Sequence, residues 1–416
     1  MKKMHLPTAA RLSPRAIMLI FSIVYFVSYL TRINYAAVIT AIIADGNVTR
    51  SAASLAVTGA FVTYGAGQLV SGYFSDRIQP TRLVAAALVT TSAVNLCLPL
   101  CGSVALRTAV WCLNGLAQAF IWPPLMKLVP ALLDEERQLS AGVRINSGGH
   151  VGNIAVYLIA PVFIRMTGWR GMFVFSAVMG FVCALAWILT FGCVKIDLRG
   201  AADGGAVAQT QSRSRMKWRV PAAVMALTVV TIIIQGAMRD GVTTWVPTYI
   251  SETFSLGADV SVLTGVAMPV FALICLALTE RIYNKVQNVQ KCSFVYFTLA
   301  LAASAALPFA ARGGVVTAVL LSAVIVGCMH SINLLQVCIL PRTLGGTEQI
   351  GFASGALNGC VYIGSALSTY GFARVSETFG WNGTILTWCI SSALGAVICF
   401  VLLRREGRIS QDRRAK

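Results

Sequence analysis

Charge is what this sequence has least of. Asp, Glu, Lys and Arg make up 12% of its 416 residues, against 57% hydrophobic residues and a mean hydropathy of +0.75. A soluble chain of this length carries about twice that charged fraction. This one cannot cover its own surface in water, and a bilayer is the solvent that fits. Acidic residues are scarcest: 15 Asp and Glu stand against 33 Lys and Arg, a net charge of +18. No Ser/His/Asp arrangement, carboxylate pair or metal-ligand spacing stands out, which argues against an enzyme. No GxxxxGK[ST] loop is present, which argues against ATP as the driving force. The twelve cysteines include no CxxC pair and mostly sit in apolar runs. They read as small buried hydrophobes, and neither a disulfide nor a metal nor a cofactor is expected.

The apolar runs are long. A membrane-crossing helix needs about 20 largely apolar residues, and twelve segments qualify: 16–44, 54–75, 82–101, 104–127, 139–165, 170–193, 220–248, 259–280, 291–311, 314–340, 350–373 and 382–403. The basic start (Lys2, Lys3, Arg11, Arg15) followed by apolar residues from Ile17 has the look of a secretory signal. The run is long, contains Arg32 and precedes many others, so it reads as the first transmembrane helix. The most polar connection, around Lys195 to Arg219, reads as a flexible linker. The expected domains are 1–195, a linker at 196–218, and 219–416 with a basic tail.

The basic residues sit in short loops, which speaks against nucleic acid as a partner and for topology signals. With the N-terminus inside, inner loops and tails hold 24 Lys and Arg, outer loops six, and the spans three: Arg32, Arg144 and Arg239. That bias puts both termini in the cytoplasm. Asn146, Gly152, Gly168, Trp169 and Gly171 recur as Asn358, Gly364, Gly380, Trp381 and Gly383, always 212 residues on. The halves therefore read as parallel repeats.

An arginine at membrane depth costs at least ~2.5–3.5 kcal/mol on insertion scales, so it must face protein or a wet cavity. Arg32 and Arg239 occupy equivalent first-helix positions of the two halves. A buried ion pair is the plain alternative to a binding role. The one acidic residue in either span is Asp240, and adjacent helical residues do not face each other. An anion-binding role is expected, because guanidinium grips carboxylate or phosphate oxygens in pairs. Polar residues recur nearby at helical spacing: Tyr25, Tyr29 and Arg32; Tyr64 and Gln68; Asn146, His150 and Asn153; Asn358, Tyr362 and Ser365. Each stripe serves equally as cavity lining or as interhelical hydrogen bonding. His150, on a stripe, is a candidate for proton coupling or substrate contact. Gly72 to Arg77, with Asp76, and then Arg82 can latch cytoplasmic helix ends.

These residues resemble the major facilitator superfamily: Gly72 to Arg82 looks like its loop signature, and the repeat fits its architecture. The resemblance implies an all-α membrane protein of twelve transmembrane helices in two pseudo-symmetric six-helix bundles. Within it the chain looks like the organophosphate:phosphate antiporter family of glycerol-3-phosphate and hexose-6-phosphate carriers. The matching stretches are Tyr29-Leu30-Thr31-Arg32-Ile33-Asn34-Tyr35, Tyr64-Gly65 through Arg77 and Pro80, Trp122-Pro123-Pro124, and Arg239-Asp240-Gly241 through Tyr249. The resemblance implies that Arg32 and Arg239 grip phosphate and that Tyr25, Tyr29, Tyr64, Trp122 and Asn146 line the site. Two departures stand out. Gln68 replaces a lysine of the phosphate exchangers, and their fifth-helix histidine aligns with Gly149, one residue before His150. The expected partners are a small anionic substrate (phosphoester, phosphate or carboxylate) and membrane lipid, and the chain is expected to be a monomer. Some relatives in this family are sensors.

Overall fold

The computed structural model describes residues 12–46, 48–75, 77–192, 222–340 and 350–414. The linker expected at 196–218 and Asp76 of the loop motif lie outside the described residues. Within them, the regular structure is helical throughout: α1 Pro14–Leu30, α2 Asn34–Gly46, α3 Arg50–Ser75, α4 Pro80–Cys97, α5 Val104–Gln118, α6 Trp122–Leu132, α7 Glu135–Thr167, α8 Trp169–Phe191, α9 Ala222–Thr253, α10 Ala258–Thr264, α11 Ala267–Val286, α12 Val289–Gly313, α13 Val315–Asn333 and α14 Ile350–Arg414. A π-helical turn, Leu334–Ile339, extends α13.

Local chemistry sets many of these limits. Ser13, Ser103 and Asn288 cap α1, α5 and α12 by accepting hydrogen bonds from Ala16, Leu106 and Lys291 backbone N–H groups. Pro14, Pro80 and Pro123 stand in the first turns of α1, α4 and α6, where a missing N–H costs nothing. Gly380 interrupts α14 with φ 67° and ψ −172°, a backbone that side chains other than glycine's rarely adopt.

Among the described residues, ten helical stretches are long and apolar enough to cross a membrane. α1 and α2 form one such stretch, Pro14–Gly46, and α5 with α6 another, Val104–Leu132. Their breaks are internal turns, not loops between spans.

The chain divides into two compact units. One comprises Met1–Gly46 and Leu55–Thr210, the other Asn47–Ser54 and Gln211–Lys416. In the first, Phe21, Val24, Tyr25, Leu125, Trp187 and Phe191 share a buried core. Both units reuse one set of devices. Gly168, between α7 and α8, has φ 74° and ψ 179°, nearly the backbone of Gly380. Trp169 Nε1 donates to Asp45 Oδ2 at 2.9 Å, and Trp381 Nε1 donates to Glu252 Oε2 at 2.8 Å. Gly152 lets α7 lie against α1, since a Cβ there would sit 2.6 Å from the Phe26 carbonyl oxygen. Gly364 does the same for α14 on α9, against the Ile233 carbonyl. The 212-residue repeat therefore has a structural content: one glycine admits a close helix neighbour and the next turns the chain into the unit's last helix.

Candidate functional site

Arg32 sits in the turn Thr31–Ile33 that separates α1 from α2. A break inside an apolar span leaves backbone carbonyls without helical partners, and each must be satisfied within the protein. Here side chains supply the donors. Asn95 and Asn114 each give a 2.9 Å hydrogen bond to the Thr31 carbonyl, and Ser176 gives one of 2.9 Å to the Leu30 carbonyl. Gln118 Nε2 reaches the Ser28 carbonyl, Thr31 Oγ1 and Thr91 Oγ1 at 3.1, 2.8 and 2.9 Å. Asn34 ties to Asn95 and Ser176 at 2.7 and 3.1 Å, and Thr91 donates to Asn114 Oδ1. All these side chains are buried. A buried polar network so fully joined stiffens its surroundings, and this one holds the two peptides that precede Arg32.

The half-buried Arg32 guanidinium lies over the Tyr64 ring, 4.3 Å from its centroid, and 5.2 Å from that of Tyr29. Such stacking stabilises a desolvated cation by about 2 kcal/mol. It leaves the guanidinium edge, with its N–H donors, to point elsewhere. Gln68 Nε2 donates to the Tyr64 hydroxyl at 2.8 Å. Tyr29 meets Tyr25 edge-on at 5.3 Å, and Tyr25 packs on Trp122 at 4.8 Å. The first unit thus joins six of the expected residues, Trp122, Tyr25, Tyr29, Arg32, Tyr64 and Gln68, into one continuous line. Arg32 and Tyr64 border a cleft together with Phe61, Trp111 and Asn114. Asn114 was not expected from the sequence, although Asn114 and Gln118, four apart in an apolar span, carried the signal.

The Gly149 departure has a physical counterpart. A Cβ on Gly149 would lie 2.7 Å from the Tyr29 ring and 2.8 Å from that of Tyr25. The space into which a side chain at this position would project is filled by tyrosine. His150 is half-buried one position on, and Asn146 is exposed, both on α7. Asn153 Oδ1, on the same stripe, is buried with no hydrogen-bond partner among the described residues.

In the second unit the expectation for Arg239 needs correction. Arg239 Nε and Nη2 donate to Asp240 Oδ1 and Oδ2 at 2.8 and 2.7 Å, a two-pronged ion pair. Adjacent Cβ atoms do diverge on a helix, but the arginine stem has enough torsions to carry its guanidinium back to the neighbouring carboxylate. Ser365 Oγ on α14 donates to Asp240 Oδ2 at 2.6 Å and completes the cluster. Side-chain exposures of 12% for Arg239 and 19% for Asp240 leave both mostly but not wholly covered. Tyr362 is buried on α14, three residues before Ser365. Of the loop motif, Gly72 lies on α3, Arg77 is exposed in the turn after it, and Arg82 is exposed on α4.

Comparison with known proteins now bears on this geometry. The model of the Major Facilitator Superfamily matches residues 21–369. The membrane sensor protein UhpC of Salmonella typhimurium is 24% identical over 413 residues, covering 92% of this chain and 90% of its own. A probable hexose phosphate transport protein of Chlamydia trachomatis is 26% identical over 162 residues, 38% of this chain and 36% of its own. Among solved structures, a bacterial homolog of the human lysosomal transporter Spinster, inward-facing and occupied, has a TM-score of 0.78 at 12% identity. That match covers 93% of this chain and 96% of the other and shares the fold. The chain belongs to the Major Facilitator Superfamily: it is an integral membrane protein of the transporter fold, similar to membrane sensor and hexose phosphate transport proteins, as its organophosphate:phosphate antiporter motifs imply.

Proposed function

We propose that this chain is a secondary active transporter of an anionic organic metabolite, first among them an organophosphate taken up in exchange for inorganic phosphate. The observation that carries the reading is Arg32, a cation inside an apolar span, stacked on Tyr64 at 4.3 Å in a turn braced by buried amides. Nothing about helix stability asks for that arrangement; binding an oxyanion does. Arg32 in the first unit and Arg239 in the second are the anion-binding groups. Tyr25, Tyr29, Tyr64, Gln68, Trp122, Asn146, His150 and Tyr362 contact substrate. Gly72, Asp76, Arg77 and Arg82 form the cytoplasmic latch.

The architecture proposed with this is twelve transmembrane helices in two six-helix bundles, spanning 1–195 and 219–416, with 196–218 as a cytoplasmic linker. Two observations support the count beyond ten. The 26-residue α3 is long enough to span, and α14 is divided at Gly380. The loop bias of Lys and Arg supports cytoplasmic termini in the inner membrane. The transporter works as a monomer by alternating access.

Uptake into proteoliposomes tests the reading. Vesicles loaded with phosphate should accumulate labelled phosphate or glucose 6-phosphate with the wild type. The Arg32→Ala variant should lose this uptake; unchanged uptake would discard the mechanism. A proton-coupled carboxylate or phosphonate carrier is the first alternative, separated by whether uptake needs a pH gradient. A sensor that binds a sugar phosphate is the second, supported by the full-length similarity to UhpC. It would bind glucose 6-phosphate and accumulate almost none.

A further inference from the structure

Arg239 is already engaged. Its Nε and Nη2 atoms hold both oxygens of Asp240 at 2.8 and 2.7 Å, which is the grip a guanidinium offers a carboxylate or phosphate substrate. An anion cannot take the same two donors while Asp240 keeps them. We propose that Asp240 is a built-in competitor for the anion site: substrate displaces it from Arg239, and the displaced carboxylate takes up a proton. This rests on the reading of Arg239 as an anion-binding group and adds to it a coupling ion and a residue that carries it.

The balance is simple. One ion pair, guanidinium to Asp240 carboxylate, breaks, and an equivalent pair, guanidinium to substrate oxyanion, forms. A proton from the solvent bonds to an Asp240 oxygen, so a singly charged oxyanion leaves the charge around Arg239 as it was, and a dianion adds one negative charge instead of two. Ser365 Oγ, 2.6 Å from Asp240 Oδ2, remains as a neutral hydrogen-bonding partner for the protonated acid. Without the proton, substrate and Asp240 would be two anions beside one cation in a low-dielectric site, which repel strongly. The Asp240 side chain is not fully enclosed, with 19% of its surface uncovered, and a proton would have to enter on that side. The occupant must, like the carboxylate it replaces, present two oxygens to two parallel N–H donors. Carboxylates, phosphoesters and phosphonates qualify.

The groups around Asp240 agree with this role. On α9 itself the charged neighbour is Arg239. α13 brings His330 within electrostatic reach of Asp240. α14 brings Ser365, with Tyr362 one turn before it, while Arg374 and Glu377, paired with each other at 3.3 Å, lie further along the helix. α10 carries Asp259, beyond the C-terminal end of α9.

The sign follows from linkage. If binding takes up one proton, affinity rises as pH falls, by about tenfold per pH unit while Asp240 is ionised in the unbound protein. The test uses purified full-length protein in detergent, with glucose 6-phosphate as the probe, titrated calorimetrically from about pH 8 to about pH 6 in buffers of different ionisation enthalpy. The ratio of the Asp240→Asn affinity to the wild-type affinity removes the ligand's own titration. We expect the ratio to fall by about tenfold per pH unit, about 100-fold from the alkaline to the acidic end, and one proton more to be taken up per ligand by the wild type. A ratio of one at every pH, with equal proton uptake, overturns the inference. If Asp240→Asn does not fold, Asp240→Ser takes its place and should likewise bind more tightly at the alkaline end and lose the extra proton; a wild-type pH slope and wild-type proton uptake in it overturn the proposal. The double variant Arg239→Gln/Asp240→Asn separates this from the reading beneath it. Wild-type affinity in the double variant removes Arg239 from the site altogether. Loss of binding there, with Asp240→Asn indistinguishable from wild type, removes only the competitor role.

Discussion

The two units carry one arginine each in their first long helix, and they house it in opposite ways. Arg32 rests on tyrosine rings, in a turn whose spare carbonyls are held by Asn95, Asn114 and Ser176. Arg239 sits within the continuous helix α9 and is gripped by the next residue along the chain. Elsewhere the units are matched, from the glycine pair Gly168 and Gly380 to the tryptophan pair Trp169 and Trp381. The contrast teaches that a repeat can preserve a cation's place while dividing its tasks. One arginine lies over aromatic rings. The other is clasped by a neighbouring carboxylate, which, on the competitor proposal, a substrate would have to displace.

The sharpest way to break this comparison is to delete each cation and separate the loss of stability from the loss of binding. Arg239→Ala strands the Asp240 carboxylate, so it should lower the stability of the purified protein by about 3–5 kcal/mol, read as a fall in thermal unfolding temperature in detergent. Adding Asp240→Asn should recover most of it. Arg32→Ala removes the cation from above the Tyr64 and Tyr29 rings and should cost less stability, at most about 2 kcal/mol. Its affinity for glucose 6-phosphate, measured by calorimetry, should nonetheless fall about 100-fold, as expected when one partner of a desolvated charge pair is removed. Equal stability losses for the two arginines would erase the distinction.

Where the units are alike, matched substitutions should have matched effects. Gly152→Leu and Gly364→Leu each push a side chain into the backbone of the neighbouring helix. Each should cost about 1–3 kcal/mol, measured by the same unfolding assay, and a large inequality would mean that the repeat is only a sequence coincidence. The smallest effect expected is at Gln68, which donates to the hydroxyl of Tyr64, the ring on which Arg32 stacks. Gln68→Leu removes one neutral hydrogen bond of about 1 kcal/mol and should raise the KM for uptake severalfold without changing kcat. Gln68→Lys should favour the more highly charged of two phosphate substrates in a competition assay.

Much of the fold was legible because a bilayer makes hydropathy nearly sufficient. The helical stretches apolar enough to cross a membrane and the 212-residue repeat follow from where polar residues fall in apolar runs. The stripe Tyr25, Tyr29 and Arg32 and the pair Tyr64 and Gln68 meet as their spacing implies. What spacing could not supply was the partner of a long side chain. The pairing of Arg239 with Asp240 depends on torsions of the arginine stem, and a rule about Cβ directions missed it. The turn at Thr31–Ile33 was equally hidden, since no glycine or proline marks it. It exists because Asn95, Asn114, Gln118 and Ser176, from three other helices, satisfy the carbonyls it exposes, and a partner set so scattered leaves no local pattern.

Whether the chain moves its ligand or only senses it, both readings require that an oxyanion bind at Arg32, so one binding measurement reaches the core of the account. Glucose 6-phosphate should be titrated calorimetrically into purified wild type and Arg32→Lys, which keeps the charge and gives up the flat guanidinium on the Tyr64 ring. The account predicts saturable binding to the wild type and a loss of about tenfold or more in the lysine variant, with no fall in unfolding temperature. Wild-type affinity in Arg32→Lys and Arg32→Ala alike would contradict it.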